Sequence, residues 1–338
     1  MTNYWGYSWS QSGTNQWAQQ NSWTNQLSNN WNSNSWGNSW NSWQNPWTSN
    51  VQSYNNFAYQ PAKPQGKDVV FIVAGQSNAV GYNTPDFQSY FENSNSNIRV
   101  FNEHTGTWGA ASSTGMVHQS ATKDTISHQG VGFGYSAAEQ WAKDNPHDRV
   151  HIIPVVYAGA GVLAESQGNP LNPKPNWDTS LTSSAIQIVN KALAANASLS
   201  TDNIQGVLWH QGETDAMHIN RQQGWGVWNT VARYSNALKN VIQNFRSALS
   251  GWTGRVIPFV MGTISNTSTV GGIGSYMVNS TMSSISQSVD KTAVADVGAL
   301  PLGPDNLHYT ATSQREMGKR YYQALKTLIQ APVQMQTY

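Results

Sequence analysis

The apolar positions of this chain fall into two regimes. From about residue 69 onward, short uninterrupted apolar runs alternate with longer stretches of helical spacing. Residues 69–74 (VVFIVA) form a continuous apolar run, the pattern of a strand buried on both faces. Residues 97–101, 150–157, 204–209, 256–261 and 293–297 carry the same signal with varying strength. Pro154, inside VHIIPVVY, removes a backbone donor and predicts an edge strand or a bulge. Helical spacing predicts helices over 134–143, 180–195, 225–249, 280–289 and 312–329. The longest places Val227, Val231, Tyr234, Leu238 and Val241 on one face. Strands that alternate with helices imply a parallel sheet covered on both sides. The expected fold is therefore α/β: a three-layer α/β/α sandwich over 68–332. Its mostly parallel sheet is expected to have about five strands in a flavodoxin-like arrangement.

The first 62 residues follow neither period. They contain no charged residue, hold nine of the 16 tryptophans, and repeat Asn-Ser-Trp four times. A segment of Asn, Ser, Gln, Thr and Trp, almost without aliphatic side chains, cannot build a conventional core. It is either a disordered low-complexity tail or an anchor that orders against another protein chain or a second copy of itself. Residues 63–67, with Pro64 and Gly66, read as a linker, and 333–338 as a C-terminal tail.

Charge narrows the partners. Eighteen Lys and Arg against 17 Asp and Glu give no reason to seek nucleic acid or an anionic membrane, so a neutral polar substrate is expected. The absence of Cys excludes disulfides and Cys-based metal sites. The N-terminus lacks the pattern of a secretory signal, and no stretch approaches the ~20 apolar residues that span a bilayer.

In a parallel sheet, ligands bind at the carboxyl ends of the strands, so chemistry is sought just after each apolar run. The first run leads into Gly75-Gln76-Ser77-Asn78-Ala79. A serine at such a junction is either a helix cap or an exposed nucleophile whose own N–H faces a developing oxyanion. Asp305-Asn306-Leu307-His308 precedes the last helix. That step lets one loop hold a carboxylate against His Nδ1 and leaves Nε2 to take a serine proton; alternatively it is a capped turn. The run 204–209 leads into His210-Gln211-Gly212-Glu213-Thr214-Asp215. Here Gln211 offers an amide to an oxyanion, and Glu213 can orient a histidine, or Glu213 and Asp215 bind backbone amides. The run 150–157 leads into Ala158-Gly159-Ala160-Gly161, either an ordinary turn or a backbone open to a ligand.

Together these motifs resemble the SGNH hydrolase superfamily, and within it the sialate O-acetylesterase and family 6 carbohydrate esterase branch that includes acetyl xylan esterases. The resemblance covers about 68–330. It implies a serine esterase that removes O-acetyl groups from carbohydrate, with Ser77 as nucleophile and His308 as general base and then acid. It also implies an oxyanion hole made from the Ser77 N–H, a backbone N–H of the 159–161 turn and the Gln211 side chain. Asp305 matches the superfamily's orienting residue, and Glu213 takes that part in some members. Asn78, Glu213 and Gly159 are expected in supporting places. Two positions depart from the branch. Ala160-Gly161-Val162 stands for its usual Gly-Gly-Thr/Ser, which makes Gly161 the best match to the oxyanion glycine and Gly159 the fallback. Ala79 stands for its frequent Met.

No cofactor or metal is expected: His104, His118 and His128 are irregularly spaced and have no accompanying carboxylate cluster. Their insert is expected to form a substrate rim, with Tyr82, Phe101 and Trp108 as sugar-stacking groups. A sugar esterase with a polar, tryptophan-rich anchor suits an extracellular or virion-associated protein, such as a phage appendage acting on host surface polysaccharide. The rivals are an exported bacterial esterase and a non-catalytic carbohydrate-binding or assembly protein that keeps the fold.

Overall fold

Six consecutive side chains, Val69 to Ala74, are 0% exposed and alternate between two hydrophobic clusters. They belong to β1 (Asp68–Gly75), the middle strand of a seven-stranded sheet in a computed structural model. Full burial of a single Val, Ile or Phe is worth about 1.5–3 kcal/mol, so this strand anchors the fold. The structure describes residues 66–81, 95–111, 132–167, 175–251 and 254–330. By contacts the chain divides into Met1–Gln60 and Pro61–Tyr338, and the first unit lies outside the described residues. So do the tail 333–338, Tyr82, His118 and His128.

The other strands are β2 (Ile98–Asn102), β3 (Thr107–Ala110), β4 (Arg149–Val156), β5 (Ile204–His210), β6 (Phe259–Gly262) and β7 (Thr292–Ala295). Their order is β3-β2-β4-β1-β5-β6-β7, parallel throughout except for the antiparallel β2–β3 pair. The five strands β4-β1-β5-β6-β7 have the flavodoxin order. The β2–β3 hairpin widens that core, so the sheet has seven strands rather than about five. Thr107–Ala110 is short, and no residue in it is fully buried; it carries no apolar pattern to read.

Pro154 sits inside the sheet, not at an edge or a bulge. It pairs in unbroken register with Val73 of β1. Arg149 and Tyr157 donate toward β1, whereas Val150 donates toward β2, so even-numbered N–H positions face β2. Pairing with β2 ends at Ile152, two residues earlier. The donor that Pro154 lacks is therefore one the ladder never uses.

Helices cover both faces. One layer holds α2 (Phe133–Asp144) and α7 (Ala311–Gln330), packed on Val69, Phe71 and Val73. The other holds α3 (Thr182–Ala194), α4 (Glu213–Asn220), α5 (Trp225–Leu249) and α6 (Ile273–Ser288), packed on Val70, Ile72 and Ala74. The short α1 (Ser77–Val80) follows β1. Helix α6 starts seven residues before the 280–289 reading, because its glycine-rich first turn carries little periodicity. That turn is set instead by Asn220, whose Oδ1 accepts from the Gly274 N–H at 2.7 Å. Among the described residues no helix is long and apolar enough to cross a membrane.

Gly75 ends β1 with φ 137°, where an added Cβ would lie 1.9 Å from the His210 carbonyl oxygen. Gly75→Ala is expected to destabilise the protein by about 2–4 kcal/mol in denaturant unfolding, through clash and strained backbone together. Gly109→Ala is the control: nothing lies within 4 Å of its added Cβ, and its unfolding midpoint should stay at the wild-type value.

Candidate active site

Leaving β1, the chain turns sharply. The Gln76 N–H donates to the His210 carbonyl at 3.0 Å and the Ala79 N–H to the Gln76 carbonyl at 2.8 Å. This tight turn sets Ser77 at the carboxyl edge of the sheet, mostly buried. His308 comes from the loop between β7 and α7. In that loop the Gly303 N–H donates to the His308 carbonyl at 2.7 Å, and Asn306 takes a left-handed φ of 50°. Asp305 organises the same loop: its Oδ1 accepts from the Leu307 and His308 N–H groups, each at 3.0 Å. Its Oδ2 meets His308 Nδ1 at 2.7 Å. A carboxylate at that distance fixes the proton on Nδ1, so Nε2 faces Ser77 Oγ as an acceptor, 2.9 Å away.

Glu213 does not touch His308. Its Oε1 accepts from Asn78 Nδ2 at 2.6 Å and lies 3.4 Å from His210 Nε2. Burial alone would raise this carboxyl. The His210 ring, followed by the Asn78 amide, more than offsets burial and holds it below the ordinary value. His210 is fixed from its other side: the Tyr321 hydroxyl donates to the Trp209 carbonyl at 2.7 Å, which leaves His210 Nδ1 to donate to Tyr321 Oη at 3.0 Å.

Asn78 uses both polar atoms of its side chain and its backbone carbonyl. Nδ2 also reaches the Leu307 carbonyl at 3.2 Å, Oδ1 accepts from the Tyr309 N–H at 3.1 Å, and its own carbonyl accepts from Gln314 Nε2 at 2.9 Å. One amide thus joins the Ser77 turn, the His308 loop and Glu213.

Asp215 joins the two remaining loops. It accepts from the Val162 N–H at 2.8 Å, the Leu163 N–H at 3.0 Å, Ser166 Oγ at 2.5 Å and Gln211 Nε2 at 2.6 Å. Burial pushes this carboxyl up, and the four donors pull it back only in part. Both carboxylates bind amides: Glu213 that of Asn78 as well as its own backbone N–H at the start of α4, and Asp215 the N–H groups of Val162 and Leu163. Sequence spacing shows nothing of the bonds between loops, since Asn78 lies 135 residues from Glu213 and Val162 lies 53 from Asp215.

The expected placement of Gln211 needs correction. Its Nε2 is taken up by Asp215 Oδ2, the Ala160 carbonyl at 3.2 Å and Gln76 Oε1 at 3.3 Å, so it is not offered to Ser77. Turning the amide over would set Oε1 against the Asp215 carboxylate, a repulsive pair while that group is ionised. Gln211 braces the Ser77 turn against the 159–161 turn. In that turn Gly161 is buried and its carbonyl accepts from the Trp177 N–H at 3.1 Å. Gly159 is exposed at φ 70°, with nothing within 4 Å of an added Cβ. Phe101 and Trp108 pack on each other with rings tilted at 57°, Phe101 buried and Trp108 with its indole N–H on the Ala192 carbonyl, so neither forms a sugar rim.

A Ser–His–carboxylate relay at the carboxyl edge of a flavodoxin-ordered α/β/α sheet is the layout of the SGNH hydrolase fold. The sequence profile of the family described as carbohydrate esterase, sialic acid-specific acetylesterase, matches residues 67–327. The chain belongs to this family of carboxylic ester hydrolases. No curated protein matches it in sequence. Among solved structures, a protein of Arabidopsis thaliana is similar at 22% identity and TM-score 0.57, over 78% of this chain and 98% of its own. NanS is similar at 17% identity and TM-score 0.56, over 78% of this chain and 98% of its own. A carbohydrate acetylesterase from Xanthomonas citri is similar at 17% identity and TM-score 0.52, over 77% of this chain and 56% of its own. These likenesses are likenesses of fold.

Glu213 yields a pH prediction. Its folded value lies below the ordinary 4.5, so the stability it adds is present above that pH and is lost as pH falls through the folded value. Glu213→Gln should therefore cost about 1–3 kcal/mol at neutral pH. The gap to wild type should close on acidification below pH 4.5, measured by denaturant unfolding across pH. A gap that widens toward acid would show that Glu213 is not held ionised.

Proposed function

We propose that this carbohydrate esterase is a serine esterase that removes O-acetyl groups through an acetyl-Ser77 intermediate. The observation that carries the reading is His308 held between Asp305 at 2.7 Å and Ser77 at 2.9 Å. His308 Nε2 takes the Ser77 proton as Oγ attacks the ester carbonyl, and returns it to the departing sugar hydroxyl. Water, deprotonated by the same nitrogen, then attacks the acetyl-serine and releases acetate. The Ser77 N–H and the Gly161 N–H, which has no acceptor among the described residues, hold the oxyanion. Gln211 acts by keeping their two turns together. Asp305, not Glu213, orients the histidine.

A non-catalytic binding protein with the same fold is the rival. It has no need of a serine, histidine and carboxylate in hydrogen-bond register, and that register favours the enzyme.

Ser77→Ala should abolish turnover of p-nitrophenyl acetate and leave unfolding unchanged. Asp305→Asn should lower kcat by about 10⁴, because an amide donates to Nδ1 and selects the wrong tautomer. Glu213→Gln should cost far less in kcat. Wild-type turnover in Ser77→Ala would remove the mechanism, and equal losses in the Asp305 and Glu213 variants would remove the assignment of Asp305.

The residues proposed for chemistry all lie beyond residue 74, within the proposed esterase domain 68–332, so residues 1–62 serve attachment to another chain or self-assembly. Deleting 1–62 should leave p-nitrophenyl acetate kinetics at wild-type values and abolish assembly, read by size-exclusion chromatography with light scattering. Loss of turnover in a truncated chain that remains folded would place the segment in the active site.

A further inference from the structure

Five of the seven exposed large hydrophobic side chains among the described residues are Met217, Trp225, Trp228, Ile273 and Tyr276. Trp225 is 88% exposed, Trp228 59% and Tyr276 61%. They are not scattered. In a parallel sheet each crossover helix starts at the carboxyl edge, so the first turns of α5 and α6 lie at the edge that carries Ser77. The end of α4 is bonded to the start of α6. Asn220 Nδ2 donates to the Val270 and Gly271 carbonyls at 3.1 and 2.8 Å, and an added Cβ on Gly274 would lie 2.1 Å from the Ala216 carbonyl oxygen. Helix α5 starts one short turn after Asn220, and Trp225 and Trp228 share a face of its first turn.

A cavity of about 670 Å³ continues from Tyr276 along α6. On that helix it is lined by Asn279, Ser280, Ser283, Ser284 and Gln287, all hydroxyl or amide groups. No Lys, Arg or His lines it among the described residues, and its one charged side chain is Asp296. The far wall reaches the proposed catalytic loop: Asn306, next to Asp305, donates through Nδ2 to the Thr267 carbonyl at 3.2 Å, and its own carbonyl accepts from the Thr269 N–H at 2.8 Å.

We infer that this rim and groove form a binding surface for the unacetylated part of a neutral glycan, a reading that rests on the proposed esterase site. Flat aromatic faces suit the C–H faces of sugar rings, and hydroxyl and amide groups suit their hydroxyls. A sugar carboxylate would meet Asp296 with no cation to balance it. The surface holds the polymer while its acetyl group enters at Ser77.

The full chain is tested by affinity electrophoresis in gels containing deacetylated glucomannan, which reads the surface without ester chemistry. Wild type and Ser77→Ala should be retarded equally, and Trp225→Ala/Trp228→Ala should migrate freely. Tyr276→Ala should raise KM for O-acetylated glucomannan about tenfold, the worth of one stacked ring, with kcat little changed. All these aromatic variants should keep wild-type p-nitrophenyl acetate kinetics. Undiminished retardation and KM in the aromatic variants would overturn the inference, as would equal retardation by an anionic sialic acid polymer. It is also overturned if retardation persists while the double variant newly exposes residues 1–62 to protease. That result would give the rim to the chain's own tryptophan-rich segment. Because retardation does not depend on Ser77, failure of the surface and failure of the serine mechanism are read separately.

Discussion

The site depends on one primary amide. Ser77 and His308 lie 231 residues apart in sequence, and their 2.9 Å contact demands that two independent loops hold position to a few tenths of an ångström. Asn78 supplies that register. It is the neighbour of Ser77, and it binds the backbone on both sides of His308, at Leu307 and Tyr309. Because donor and acceptor are both used, the His308 loop cannot slide along the Ser77 turn without breaking one bond or the other. A carboxylate here would lose the donor, and an aliphatic side chain would leave buried backbone groups unpaired at about 1–3 kcal/mol each.

Behind Asn78 lies a polar layer that a hydrophobic core would ordinarily exclude. Glu213 and Asp215 are both fully buried, yet they have opposite electrostatic fates. Glu213 faces the His210 ring and is held ionised. Asp215 faces only dipoles, and burial raises it. The neighbouring phenols share this environment: burial, then Tyr309 and Glu213, push Tyr321 far up, so it stays a neutral donor to the Trp209 carbonyl. Isolated buried carboxylates are costly, and each here is retained with several bonds to a different loop. Glu213 holds the Ser77 side of the site, and Asp215 holds the 159–163 turn.

Local pattern made much of this legible. Every strand but β3 read from an apolar run, α5 read to the residue from its helical period, and Asp305 and His308 stood out by a three-residue step that one loop can close. What stayed hidden depends on contacts across the sequence. Helix α4, ETDAMHIN, is too polar to show a period, because three of its first residues bind other loops. Pro154 read as an interruption because sequence does not say which side of β4 loses its partner first. Gln211 read as an oxyanion donor because its position after β5 is right; only the three acceptors that converge on its amide give it a different task.

The division of labour along the carboxyl edge follows from the same topology. Strands β1, β4 and β5 stand side by side in the middle of the sheet, so the loops that leave them are held by neighbours on both sides. Their side chains are mostly buried and bonded, as precise positioning of reacting atoms requires. Strand β7 is the edge of the sheet on the far side, and β6 stands between it and β5. The helices and loops that leave β5 and β6 toward that side end in exposed Trp and Tyr rings and a groove of hydroxyl and amide groups. Such a surface can take extended, variable ligands because nothing in it must be held to a fraction of an ångström. A bonded, buried centre beside a permissive outer surface is the arrangement that the proposed cleavage of one acetyl ester on an extended glycan requires.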